Sequence, residues 1–194
     1  MRTDGSTLEV DIIFFFLIIQ SFNFDFIINF LFLTDIAEYH LDDGTFSIVD
    51  RMKNIVKLSQ GEYIALEKVE GAPNTKYIAP KGLCVYADSL YPFLVGIVQV
   101  NLNELKKYAR ENEMHFETEK QLLEDPAIRK MVLNEINKSS KKNGLAKMEM
   151  VKDIRLVSEE WTPDNLLTAA MKFKRKELYQ HYDALIKDML EKNK

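Results

Sequence analysis

Cysteine occurs once in the 194 residues, as Cys84, so the chain can close no internal disulfide and build no thiolate metal cluster. That scarcity fits a reducing compartment. Histidine is nearly as rare: His40, His115 and His181 are scattered, and none has a second histidine at metal-ligand spacing, so no zinc site is expected. Excess positive charge is also missing. Lys+Arg number 26 against Asp+Glu 30, a formal net charge of -4, which offers nucleic acid no general attraction and anionic lipid no polybasic signal. Internal repeats and low-complexity linkers are absent as well.

Charge is distributed unevenly along the chain. From Ile12 to Leu33 the sequence IIFFFLIIQSFNFDFIINFLFL is almost uncharged, and near residue 34 a polar, charge-rich sequence replaces it. The run is long enough for a membrane-spanning helix, which needs about 20 apolar residues. Gln20, Asn23, Asp25 and Asn29 fall inside it, however, and Asp25 makes insertion costly. The acidic flank of Asp4, Glu9 and Asp11 argues against a signal peptide. Residues 1–33 are therefore read as an appended apolar segment, with three readings open: a membrane anchor, translated intron from a faulty gene model, or a buried strand pair.

Residues 34–194 carry the patterns of an α+β domain: a β-hairpin and a small central sheet flanked by helices. Two short alternating runs, Thr45–Asp50 and Asn54–Leu58, separated by Arg51, Met52 and Lys53, predict the hairpin. Apolar spacing over Glu62–Glu70 predicts a helix ended by Gly71 and Pro73. LCVYA at 83–87 and FLVGIVQV at 93–100 predict the central strands, joined by a turn at Asp88, Ser89 and Pro92. Leu102, Leu105, Tyr108 and Ala109 mark a helix. Asp125 as N-cap and Pro126 in the first turn open another that runs toward Gly144. Lys152–Val157 suits a last strand, and the stripe Leu178, Tyr182, Leu185, Ile186, Met189 predicts one amphipathic helix over 174–192.

Three strings go beyond pattern: IVDRMKNIVKLSQGEYIALEKVE at 48–70, VYADS at 85–89 and WTPDNLLTAAMKFKRKEL at 161–178. Together they resemble the C-terminal lid domain of long-chain fatty acid–CoA ligases, AMP-forming members of the adenylate-forming enzymes. The resemblance covers residues 34–194. It implies an ATP-dependent reaction in which a fatty acid becomes an acyl-adenylate and then an acyl-CoA, with ATP and coenzyme A as co-substrates and Mg2+ accompanying the nucleotide. By the same resemblance Lys172 is the catalytic lysine, Asp35 takes the ribose hydroxyls, and Arg51 touches the nucleotide. Lys53 is the hinge about which the small domain swings, and Gly61, Glu62 and Tyr63 form the loop that faces coenzyme A and the adenylate. Lys57 is a weaker candidate on that face. As bare residues, Lys172 is one of a basic run with Lys174, Arg175 and Lys176, Asp35 suits a cap or turn, and Arg51 suits a hairpin tip.

The chain also departs from the family pattern. A glycine is missing between Thr34 and Asp35, and another after Asn165. No Gly-, Ser- and Thr-rich phosphate loop ending in lysine occurs among the seven glycines. Thr3-Asp4-Gly5 and Thr34-Asp35 read like two halves of one motif, parted by the apolar run. The expectation is a ligase-family piece that looks truncated. It would take fatty acid only together with a large N-terminal domain, at the cytoplasmic face of the endoplasmic reticulum or another organelle membrane, or in the cytosol. The alternative is a non-catalytic, membrane-anchored binding module derived from such a ligase.

Overall fold

The structure, a computed structural model, describes residues 35–40, 45–51 and 54–194. The apolar run, and Lys53 with it, lies outside the described residues. The chain divides into two compact units, residues 1–55 and 56–194.

In the first unit, β1 (Asp35–His40) and β2 (Thr45–Arg51) pair antiparallel, with a register shift between Ile36 and Ala37. The partner of β2 differs from the sequence expectation, which set it against Asn54–Leu58. That second run instead supplies β3 (Ile55–Lys57), which pairs with β4 (Tyr63–Ala65). The helix expected from Glu62 begins only at Leu66, because Tyr63, Ile64 and Ala65 are drawn into strand pairing. The helix that remains, α1 (Leu66–Gly71), buries Leu66 and Val69 and ends just before Pro73.

The centre of the second unit is a three-stranded sheet, in the order β5 (Ile78–Tyr86), β6 (Leu94–Val100), β7 (Val151–Val157). β5 and β6 are antiparallel, and β6 and β7 are parallel. The edge strand β5 absorbs Pro80 and a left-handed Lys81 where its register shifts, as an edge can. Gly82 follows, and a Cβ there would meet the Gln99 carbonyl oxygen at 2.5 Å, so no side chain fits. The parallel pair requires a crossover. It is made by α2 (Leu102–Glu111), α3 (Glu119–Glu124) and α4 (Pro126–Lys142).

Strand alternation divides the sheet between two cores. Leu94, Val98 and Val100 of β6, with Leu83 and Val85 of β5, join Leu66, Val69, Leu105, Leu122, Ile128, Val132 and Ile136 from α1 to α4. Cys84, Val95 and Ile97 point to the opposite side and meet Trp161, Leu166, Leu167, Leu178, Tyr182, Ile186, Met189 and Leu190. β6 is apolar at nearly every position because both its faces are covered. The expected terminal helix is two helices, α5 (Arg175–His181) and α6 (Asp183–Lys192), with Tyr182 at the break. Leu178, Tyr182, Ile186 and Met189 are buried and Leu185 is half-buried, so the predicted stripe survives the break.

Candidate functional site

Lys172 stands at the end of a tight loop whose backbone is bonded to itself. Thr168 N–H donates to the Lys172 carbonyl (2.7 Å), Met171 N–H to the Thr168 carbonyl (2.8 Å), and Lys172 N–H to Thr168 Oγ1 (3.2 Å). Met171 takes a left-handed φ of 57°, a conformation that costs a non-glycine residue about 1 kcal/mol. Leu167 and Phe173 bridge below the turn, and Lys174 N–H donates to the Leu166 carbonyl (2.9 Å). The base is heavy. Trp161 packs edge-on against Phe173, its Nε1–H donates to Tyr182 Oη (3.1 Å), and Tyr182 in turn donates to Glu159 (2.7 Å). Asn165 also supports the loop, accepting from Thr162 N–H (2.7 Å) and donating to the Glu160 carbonyl (2.9 Å).

The structure resolves the basic run into separate jobs. Lys174 Nζ donates to the carbonyls of Pro163 and Asn165, fixing the loop, and Lys176 is exposed. Arg175 makes a two-pronged ion pair with Glu70 of α1 at 2.6 and 2.8 Å. Glu70 also accepts from Val85 N–H (2.9 Å), and Tyr179 donates to the Val85 carbonyl (2.7 Å), so α1, β5 and α5 are tied at one point. Burial pushes the Glu70 carboxyl up, opposed by the guanidinium; the same carboxylate holds Arg175 charged against its own burial. Cys84 lies beside this pair, buried, with its thiol pushed well up by desolvation, which leaves it protonated and inert.

Lys172 has a different neighbour. Its Nζ lies 3.2 and 3.3 Å from the two carboxylate oxygens of Glu67, one turn before Glu70 on α1. Both side chains are about half exposed, 55% and 42%, in contrast to the buried pair beside them.

The segment that leads into α1 contains the other predicted loop. Leu58 N–H donates to the Glu62 carbonyl (2.8 Å) and Gly61 N–H to the Leu58 carbonyl (3.0 Å). Gly61 itself has a φ of +100°, which only glycine adopts readily, and open space where a Cβ would stand. Beyond it Glu62 is half-buried, Tyr63 is 56% exposed, and Lys57 Nζ sits 5.2 Å from the Tyr63 ring centre. Ile64 and Ala65 are buried and anchor the loop. Gly61–Tyr63 and the carboxylates that face Lys172 and Arg175 therefore belong to one continuous stretch, residues 61–70. In the other unit, Asp35 and Arg51 are direct register partners across β1 and β2. Among the described residues no group of three or more His, Cys, Asp or Glu could hold a metal, and no helix is long and apolar enough to cross a membrane.

No protein-family model matches the chain. Individual relatives do. The sequence is 39% identical over 148 residues to long-chain-fatty-acid–CoA ligase 3 of Saccharomyces cerevisiae, covering 74% of this chain and 21% of that protein. It is 36% identical to fatty acyl-CoA synthetase B of Dictyostelium discoideum (77% and 22%) and 36% identical to long chain acyl-CoA synthetase 8 of Arabidopsis thaliana (74% and 20%). Its curated homologues are long-chain acyl-CoA synthetases. The chain spans about a fifth of the length of these synthetases. Among solved structures, the adenylation domain of a carboxylic acid reductase from Segniliparus rugosus, in complex with AMP and a co-purified carboxylic acid, aligns with a TM-score of 0.67. The match is at 24% identity over 84% of this chain and 23% of that one. The corresponding domain from Mycobacterium chelonae aligns with a TM-score of 0.66 at 23% identity, over 81% of this chain and 22% of that one. The synthetase-like chain thus has the mixed α and β fold, small sheets with flanking helices, of adenylate-forming enzyme domains.

In this synthetase-like chain Lys172 and the Gly61 loop stand out from the sequence, whereas Glu67, Glu70, Arg175 and Tyr179 join the same constellation only in the structure. A signal was present: two carboxylates spaced i, i+3 on a helix, and two cations spaced by the same three positions at Lys172 and Arg175.

Proposed function

We propose that this chain supplies the lysine-bearing lid of a long-chain fatty acid–CoA ligase. Lys172 delivers positive charge to the reacting phosphate and carboxylate oxygens of an acyl-adenylate site whose other wall is a larger domain. The observation that carries this reading is an exposed lysine at the end of a braced loop, in a chain whose homologues are such ligases. A cation on a rigid mount stabilises charge developing in the transition state without reorganisation at the moment of reaction. The Trp161, Lys174 and Arg175 anchors give Lys172 that mount.

In this proposal Asp35 binds the ribose of ATP and Arg51 the nucleotide. Their pairing on one rung of β1 and β2 supports a shared ligand. Lys53 is the hinge. The swing about it exchanges Lys172 for the Gly61–Glu62–Tyr63 loop, whose open glycine and exposed Tyr63 suit close approach by the arm of coenzyme A. Mg2+ would arrive with the ATP phosphates, and the role assigned to this chain runs through its own side chains. The fatty acid and the phosphate loop belong to the larger domain, met at the cytoplasmic face of an organelle membrane or in the cytosol.

The test uses the purified chain with ATP, palmitate and coenzyme A. Alone, it is expected to release no pyrophosphate above background. Mixed with the large domain of a homologous synthetase lacking its own matching segment, it is expected to restore acyl-CoA formation, and Lys172→Ala to reduce that rate on the order of a hundredfold or more. Turnover by the chain alone, or a Lys172→Ala protein as active as the parent in the mixture, would refute the proposal.

A further inference from the structure

Lys172 and Arg175 face the same helix, yet their two carboxylate partners hold them differently. Glu70 and Arg175 make short contacts at 2.6 and 2.8 Å, with side chains only 7% and 18% exposed. Removing either partner would strand a buried charge, so that pair stays closed. Glu67 and Lys172 meet at 3.2 and 3.3 Å with water access to both, the situation in which an ion pair is weak and readily exchanged. The spacing is matched, because the i, i+3 carboxylates of α1 meet i, i+3 cations. The buried pair therefore sets the register in which the exposed pair falls.

We infer that Glu67 is a positioning residue: it parks Lys172 against α1 between catalytic events, through a contact weak enough for an incoming phosphate-bearing anion to displace. This deepens the reading of Lys172 as the acting lysine and rests on it. Three features suit the role. The parked ammonium stays on the solvent side of the loop, within reach of a ligand. The backbone of the loop is fixed by its own hydrogen bonds and by Lys174, so release is a side-chain motion. And Glu67 lies four residues beyond Tyr63 on the same continuous segment, so the parking carboxylate belongs to the stretch that carries the other predicted loop.

The contact is tested on the full chain by pulse labelling of lysines with an acetylating N-hydroxysuccinimide ester, read residue by residue by mass spectrometry. Glu67→Gln is expected to raise the Lys172 labelling rate about two- to fivefold, the range of a half-exposed ion pair, with Lys176 unchanged and Glu67→Asp intermediate. The same proteins are then mixed with the large domain of a homologous synthetase and assayed for palmitate-dependent exchange of pyrophosphate into ATP. Glu67→Gln is expected to match or exceed the parent, since a competitor for the ammonium has gone. An unchanged Lys172 labelling rate in Glu67→Gln overturns the inference. So does exchange by Glu67→Gln that falls as far as exchange by Lys172→Ala, since Glu67 would then serve the reaction itself. If labelling accelerates as expected while no protein supports exchange, the parent included, the ligase reading fails and the parking contact stands.

Discussion

The two faces of the β5-β6-β7 sheet are built from different materials. The face covered by α1 to α4 is closed almost wholly by aliphatic side chains, with Ile128, Val132 and Ile136 presented in helical register. The face covered by residues 161–190 also has an aliphatic floor, but its specific contacts are polar: Trp161 to Tyr182 to Glu159, Arg155 to Asp153 and Asp188, and Glu70 to Arg175 at its margin. Aliphatic packing tolerates small displacements, whereas hydrogen bonds and paired charges fix direction and distance. The face under α1 to α4 has directional bonds of its own, such as those from Asn137 to both backbone atoms of Val151, but the face that carries Lys172 adds the Trp161 relay and the arginine ion pairs.

That contrast can be broken by substitution. The largest effect is expected from Glu70→Leu, which leaves Arg175 buried without a partner: about 3–5 kcal/mol lost in urea unfolding, much of it regained in Glu70→Leu/Arg175→Met. A single variant no worse than the double would show the pair to be indifferent. On the opposite face Ile136→Ala is expected to cost about 3 kcal/mol by leaving a cavity. It should leave the labelling rate of Lys172 untouched, because α4, unlike α1, makes no hydrogen bond to the loop. Trp161→Phe removes one hydrogen bond and some ring volume, for about 1–2 kcal/mol, and should accelerate labelling of Lys172 and Lys174 together as the base of the loop loosens.

Acid should separate the two faces most gently. Bonds from Lys192 and Arg155 hold the Asp188 carboxyl down to about 2, and the Tyr182 hydroxyl, with His181 behind it, lowers Glu159. A carboxylate held low in the folded state adds stability that is present above its ordinary range, near 4, and is lost as pH falls through the lowered value. Hydrogen exchange between pH 5 and pH 2 is therefore expected to rise in residues 175–192 before it rises in α4. Simultaneous loss of protection would contradict the distinction.

Much of this was legible in the sequence. The central strands, the Asp125-capped helix, the last strand and the buried stripe of the terminal helices follow from period and capping alone. α3 was overlooked although Thr118 and Gln121 form a capping box there, a local signal that needed only to be read. The misplaced start of α1 has another cause. Ile64, Ala65, Leu66 and Val69 suit a helix locally, and pairing with β3 decides the first of them otherwise. The motif marks out Lys172 as a candidate, but the division of labour among Lys172, Lys174 and Arg175 was not legible. It depends on which carboxylate or carbonyl each meets from a segment as distant in sequence as Glu67 or Glu70, and no local pattern contains that.

The parallel pairing of β6 with β7 has a kinetic consequence. β6 ends at Val100 and its second neighbour begins at Val151, so the middle strand must wait for the whole intervening chain before its ladder can close. Until then Val95 and Ile97 lack the cover that residues 161–190 provide. Closing so long a segment is slow compared with forming the β5–β6 hairpin, which makes docking of β7 the natural rate-limiting event in assembly. During synthesis the Lys172 loop would be mounted last, on a sheet already half built.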